Sequence, residues 1–210
     1  MKSTRHLFLA FVATAAMLSG AGAAEAQAVK TPDGLIKDVS TGVLDDIKAD
    51  KSIQSGDIKK VTALVDQKVL PYVDFERMTA SAMGRYWRQA TPDQQKRLQE
   101  EFKLLLVRTY SGALSQVSQE QTVELKPMRS APTDTEVVVR TEIRGKGDPI
   151  QLDYRLEKSG DSWKIYDVNV LGVWLVENYR NSFSQEISAN GIDSLIGKLA
   201  SRNKASAAKS

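Results

Sequence analysis

The sequence predicts an α+β fold: a helical layer packed over a curved four-stranded antiparallel sheet, in a single domain. Three observations carry this prediction. Apolar residues between Leu35 and Leu114 recur at intervals of three and four, the period of a half-buried helix. From Val123 to Val170 the interval drops to two, the period of strands with one covered face. From Val173 onward it returns to three and four. Helices on both sides of a block of strands leave one apolar sheet face, which those helices must cover.

The first 28 residues read as a secretory signal peptide outside this domain. Lys2, Arg5 and His6 make a positive start, and residues 7–18 are an apolar run shorter than the ~20 residues of a membrane span. Ala24-Glu25-Ala26 and Ala26-Gln27-Ala28 are overlapping cleavage patterns, with no cysteine beside them to take a lipid anchor. Residues 29–201 then form one domain, long enough to bury an ordinary core. Residues 202–210, small and polar, are expected to be a disordered tail. No later segment is apolar over a membrane helix's length, so the mature chain is expected to be soluble.

Composition excludes several chemistries. The chain has no cysteine, and its one histidine, His6, lies in the leader. Thiol catalysis, Ser-His-Asp triads and His- or Cys-ligated metals are therefore outside the reach of the mature protein. The 29 basic and 26 acidic residues are interspersed, without the concentrated basic face that nucleic acid demands.

Thr31-Pro32-Asp33 opens the first helix with a capping hydroxyl and a proline in the first turn. Leu35, Ile36, Val39, Val43, Leu44 and Ile47 form its apolar stripe. Ser55-Gly56-Asp57 breaks the chain, and a second helix carries Ile58, Val61, Leu64, Val65 and Val69 as far as Pro71. Asp74 caps a short helix with Phe75, Met78, Ala82 and Met83, which Gly84 ends. Thr91-Pro92-Asp93-Gln94 is a capping box that opens the longest helix, expected to reach about Val117. Strands follow at residues 123–125, 135–144, 150–157 and 163–170, with turns at Gly145-Lys146-Gly147-Asp148 and Ser159-Gly160-Asp161. A helix over residues 173–187 and a short one over 192–199 close the fold.

Acidic residues offer little chemistry. Asp45-Asp46, Asp153 and Asp167 accompany neither a calcium-loop pattern nor a zinc motif, so no catalytic or metal residue is assigned.

The chain resembles the toluene-tolerance family, which contains MlaC. The similarity runs through Val69-Leu70-Pro71-Tyr72-Val73-Asp74-Phe75, Gly84-Arg85-Tyr86-Trp87-Arg88, Ala90-Thr91-Pro92-Asp93-Gln94-Gln95 and Thr109-Tyr110-Ser111-Gly112-Ala113-Leu114. It resumes at Trp163-Lys164-Ile165-Tyr166-Asp167-Val168 and Gly172-Val173-Trp174-Leu175-Val176. It closes with Tyr179-Arg180-Asn181-Ser182-Phe183 and Gly191-Ile192-Asp193-Ser194-Leu195. The resemblance implies a periplasmic phospholipid carrier that exchanges cargo with two complexes. One is an inner-membrane ABC transporter with an MCE-domain ring, the other an outer-membrane lipoprotein–porin complex; the exchange maintains lipid asymmetry. The mature chain is expected to bind no cofactor beyond the lipid cargo, to catalyse nothing and to be a monomer.

Such a carrier needs an apolar cavity. At ~0.8 kcal/mol per methylene, two chains of about 15 methylenes cost on the order of 20 kcal/mol in water. The residues expected to line the cavity are Phe75, Met78 and Met83, then Phe102, Leu105, Leu106 and Tyr110 on the long helix. Val137, Val139, Leu152, Tyr154, Val168, Val170, Val173, Trp174 and Leu175 supply the facing wall. Each also suits ordinary core packing. Arg85, Trp87 and Arg88 are placed at the cavity mouth, against a phosphate. Three other readings stand beside this one: a carrier of hopanoid-type lipids, an adaptor with a filled core, and a hydrolase or isomerase working without histidine or cysteine.

Overall fold

The computed structural model describes residues 30–131 and 133–207, so the expected signal peptide lies outside the described residues. Helix α1 (Pro32–Ala49) starts where its sequence requires, with the Thr31 hydroxyl accepting the Gly34 amide at 3.3 Å. It buries Leu35, Ile36, Leu44 and Ile47. A single turn, α2 (Lys51–Gln54), leads to α3 (Ile58–Leu64), where Asp57 accepts the amides of Lys59 and Lys60.

The expected regular helix up to Pro71 is broken in two places. The Leu70 amide donates to the Val65 carbonyl five residues back, which makes Val65–Val69 a π-helical turn, and Leu70–Tyr72 then tightens to a 3₁₀ turn. Pro71 supplies the cause: it has no N–H to donate and its ring crowds the preceding turn, so the ladder before it shifts register.

Helix α4 (Phe75–Met83) is capped by Asp74, which accepts the Arg77 amide at 2.8 Å. It ends at Gly84, whose φ of +57° suits glycine. A 3₁₀ segment (Gly84–Gln89) leads to the reciprocal Thr91–Gln94 capping box and α5 (Pro92–Ser111). The last residues expected in that helix, Gly112–Gln116, wind more tightly as 3₁₀.

Among the described residues the sheet has five strands, not four, in the order β1 (Thr122–Leu125), β2 (Glu136–Arg144), β3 (Ile150–Ser159), β4 (Ser162–Val170) and β5 (Val173–Trp174). All neighbours are antiparallel. The extra strand takes two residues assigned to the following helix. Leu171 and Gly172 reverse the chain at φ +52° and +90°, and the Asn169 side chain accepts the Gly172 amide at 2.8 Å. Val173 and Trp174 are thereby laid against Val170 and Asn169.

A bulge in β4 decides which side chains share a face. Leu156 faces Ile165, but the next residue back, Arg155, faces Asp167, so Tyr166 is the extra residue. Trp163 and Ile165 before the bulge, and Val168 and Val170 after it, therefore share one face with Leu156, Tyr154 and Leu152. Asp167 and Asn169 turn to the other face.

Helices α6 (Leu175–Asn190) and α7 (Ile192–Ala207) close the fold. Of the tail expected over residues 202–210, residues 202–207 belong to α7, and the rest lie outside the described residues. Asn203 is buried, and its amide nitrogen donates to the Glu101 carbonyl at 3.0 Å and the Glu101 carboxylate at 2.7 Å. Small polar residues end a helix only where nothing holds them, and here α5 does.

The buried side chains form three clusters. One lies among α4, α5, α6 and α7, with the Phe102 ring 5.0 Å from Tyr179 and 5.3 Å from Phe183. A second joins α1 to the covered sheet face through Leu35, Ile36, Val139, Leu156 and Ile165. The third gathers Ile47, Ile53, Val61, Leu64 and Val107.

Candidate functional site

Where the three clusters approach one another, an apolar cavity of about 250 Å³ remains. Val61 comes from α3, Val65 and Val69 from the π-helical turn, and Leu70 and Val73 from the segment around Pro71. Phe75 and Met78 project from the start of α4, Val168 from β4 and Leu175 from the start of α6. Helix α5 contributes Lys103, Leu106, Val107, Tyr110 and Ser111, and Leu114 follows just beyond it.

These α5 residues lie at intervals of three and four, a single stripe of the helix. Leu98, Phe102 and Leu105 occupy the adjoining stripe, which packs into the α4–α7 cluster. The helix is thus apolar over a wide arc, with one part filled by protein and the other facing the cavity.

Six of the residues expected at the cavity line it: Phe75, Met78, Leu106, Tyr110, Val168 and Leu175. Met83, Phe102 and Leu105 instead fill the α4–α7 core, and Val137 and Val139 pack beneath α1 with the half-buried Tyr154. Leu152 and Val170 are half-buried on the covered sheet face beyond the cavity wall. Val173 is 48% exposed on β5, and Trp174 stacks under the Arg155 guanidinium at 3.9 Å. The β4–β5 turn carries those two away from the interior.

The arginine cluster is also displaced from its expected place. Arg85, Trp87 and Arg88 follow the C-terminal end of α4, whereas the cavity touches Phe75 and Met78 at its beginning. At 1.5 Å per residue these ends lie about 13 Å apart. Arg85 donates to the Tyr86 hydroxyl at 2.9 Å, and that hydroxyl meets Ser188 Oγ at 2.5 Å. Trp87 packs against the α4–α7 core, and Arg88 is exposed.

The charged side chain in the cavity wall is Lys103. Its Nζ donates to Asp66 Oδ1 on the π-helical turn at 2.8 Å, with the two side chains 26% and 44% exposed. The pair therefore spans the rim. Burial pushes the Tyr110 hydroxyl above its usual range, with Tyr179 adding to the effect, so it stays a neutral part of the wall.

Among the described residues no carboxylate lines the cavity, and no group of three or more His, Cys, Asp or Glu side chains could hold a metal. Asp46 pairs with Lys68 at 3.5 Å, and Asp167 is enclosed by Arg155 and two backbone amides. The arrangement suits an apolar chain better than proton transfer. The π-helical turn is an irregular stretch of the wall, and none of its residues is fully buried.

Sequence reasoning missed Val61, Val65, Val69, Leu70, Val73, Lys103, Val107, Ser111 and Leu114. The unbroken apolar run on both sides of Pro71 and the wide arc of α5 were the available signals.

Comparison with known proteins places the chain. The family model described as MlaC protein matches residues 37–201. The toluene tolerance protein ttg2D of Pseudomonas putida is 28% identical over 185 residues, covering 85% of this chain and 86% of that protein. The intermembrane phospholipid transport system binding protein MlaC of Haemophilus influenzae is 26% identical over 195 residues, covering 91% and 89%. The phospholipid-binding protein from Ralstonia solanacearum, solved in complex with a phospholipid, is 47% identical, with a TM-score of 0.81. That match covers 85% of this chain and 99% of the other. With the family's pattern spanning nearly all of the folded domain, the chain belongs to the MlaC protein family.

Proposed function

We propose that the protein is a periplasmic phospholipid carrier. It takes lipid from one membrane complex, shields the acyl chains in the cavity among α3, α4, α5 and β4, and surrenders them to another. The observation that carries this reading is the apolar cavity, set in a fold that a 47% identical relative shares while bound to a phospholipid. Among the described residues no helix is long and apolar enough to cross a membrane, which suits a carrier that moves between bilayers.

The proposed donor and acceptor are the inner-membrane MCE-ring ABC transporter complex and the outer-membrane lipoprotein–porin complex, and the traffic maintains outer-membrane lipid asymmetry. The carrier works as a monomer, with the phospholipid as cargo and no cofactor. It catalyses nothing, because transfer needs only apolar shelter and weak enough binding for release.

Native mass spectrometry of the purified mature protein, followed by lipid extraction, tests the reading. The expected result is a stoichiometric diacyl phospholipid. A hopanoid would change the cargo and keep the carrier. Absence of lipid, with none acquired from phospholipid vesicles in the presence of the partner complexes, would replace the carrier with an adaptor.

A further inference from the structure

We propose that Lys103 and Asp66 form an exchangeable ion pair at the cavity rim, in which the phosphate of an incoming phospholipid replaces the Asp66 carboxylate as the counter-ion of Lys103. The inference rests on the carrier reading and adds to it a headgroup ligand and the means of its release.

Four observations converge. Lys103 is the charged side chain among the residues lining the cavity, and every other lining residue except Ser111 is apolar or the neutral Tyr110. It sits one helical turn before Leu106 and Val107, so an acyl chain against those side chains leaves its phosphate near the ammonium. The partner Asp66 lies on the facing wall and is the more exposed of the two, at 44% against 26%. That wall is a π-helical turn with no fully buried residue.

The chemistry follows from the place of the pair at the rim. Lys103 and Asp66, 26% and 44% exposed, form a solvent-accessible pair that is worth little by itself, so its carboxylate is readily exchanged for another anion. A lipid phosphate takes over the same hydrogen bond and the same charge, and Asp66 returns to water, where an exposed carboxylate is well solvated. One anion replaces another, so loading gains discrimination for phosphate-bearing lipids without an irreversible grip. Release reverses the exchange as Asp66 reclaims Lys103. The swap also frees the π-helical turn from α5.

The test loads delipidated protein from vesicles containing equal amounts of phosphatidylglycerol and a diacylglycerol with the same acyl chains, and reads occupancy by native mass spectrometry. The wild-type protein is expected to favour the phospholipid. Lys103→Met, which keeps the apolar stem and removes the charge, is expected to cut that preference at least fivefold, and Lys103→Arg to restore most of it. Asp66→Asn is expected to raise the preference and slow transfer to acceptor vesicles. Undiminished preference in folded Lys103→Met overturns the proposal. Unchanged preference and release in Asp66→Asn overturn it equally, even if Lys103→Met fails to fold. Wild-type protein that takes up neither lipid overturns the carrier reading itself, a result distinct from both.

Discussion

Asp167 on β4 holds the first turn of α6 through Val176, whose backbone amide donates to Asp167 Oδ1 at 3.1 Å. The same oxygen accepts the Val168 amide at 2.9 Å, and Oδ2 accepts from Arg155 at 3.0 Å. The carboxylate is buried, and its neighbours Val168 and Leu175 both belong to the cavity wall. One side chain therefore fixes the β4–α6 corner of the cavity. Asp167→Ala leaves the α6 amide and Arg155 without this partner, and it should cost about 3 kcal/mol in urea-induced unfolding. A loss within ±0.5 kcal/mol would mean that water replaces the carboxylate at no cost.

A second polar clasp joins α6 to α7 and sets an acid limb of stability. Glu186 accepts from Lys198 at 2.7 Å, Ser194 at 2.8 Å and Asn190 at 3.1 Å, and these donors, Lys198 foremost, hold its carboxyl down at about 2. Its folded value lies below the ordinary 4.5, so the clasp is fully present above 4.5 and is lost as pH falls through about 2. Glu186→Gln should lower stability at neutral pH and flatten the fall between these values. Thermal melts across that range check both effects.

Cavity filling and core overpacking should now separate. Leu106 lines the cavity, so Leu106→Trp should reduce lipid occupancy while leaving a folded protein. Val139 is wholly buried between α1 and the sheet, so Val139→Trp should cost 1–3 kcal/mol or more through overpacking. Native mass spectrometry and thermal melts of both variants read the contrast, and equal lipid loss with equal destabilisation would merge the two sites.

The end of α7 is tied to α5 through the buried Asn203. Asn203→Ala removes both hydrogen bonds to Glu101 and should cost about 1–2 kcal/mol. Deletion of residues 202–210 should cost at least as much. A neutral deletion in urea unfolding would return that segment to the status of a tail.

Leu171 holds φ at +52° with a side chain 65% exposed, an arrangement that costs a leucine about 1–2 kcal/mol of backbone strain. Leu171→Gly should stabilise the protein by about 1 kcal/mol and raise the melting midpoint by a few degrees. A lower midpoint would show that the exposed side chain makes a stabilising contact in solution.

Much of the architecture was legible before any coordinates, for local reasons. Thr31, Asp57, Asp74 and the Thr91–Gln94 pair satisfy the amides of their own helices, so each start is written within four residues. The switch of period at residues 121–123 marks the sheet for the same reason. Even the β4 bulge has a trace, since the covered residues Ile165 and Val168 are three apart where an unbroken strand would place them two apart.

What only the tertiary structure decided is where protein stops filling the interior. Phe102 and Leu106 are both apolar and one helical turn apart, and no periodicity distinguishes them. Phe102 meets Tyr179 and Phe183 from a helix some 80 residues later, whereas Leu106 meets the cavity because Pro71 distorted the wall opposite. The fate of Arg85 was settled likewise, by the direction in which α4 runs, and that of Asn203 by the docking of α7 on α5. Local hydrogen bonding and periodicity decide which face of an element turns inward. Whether that face meets another side chain or empty space depends on packing among distant segments.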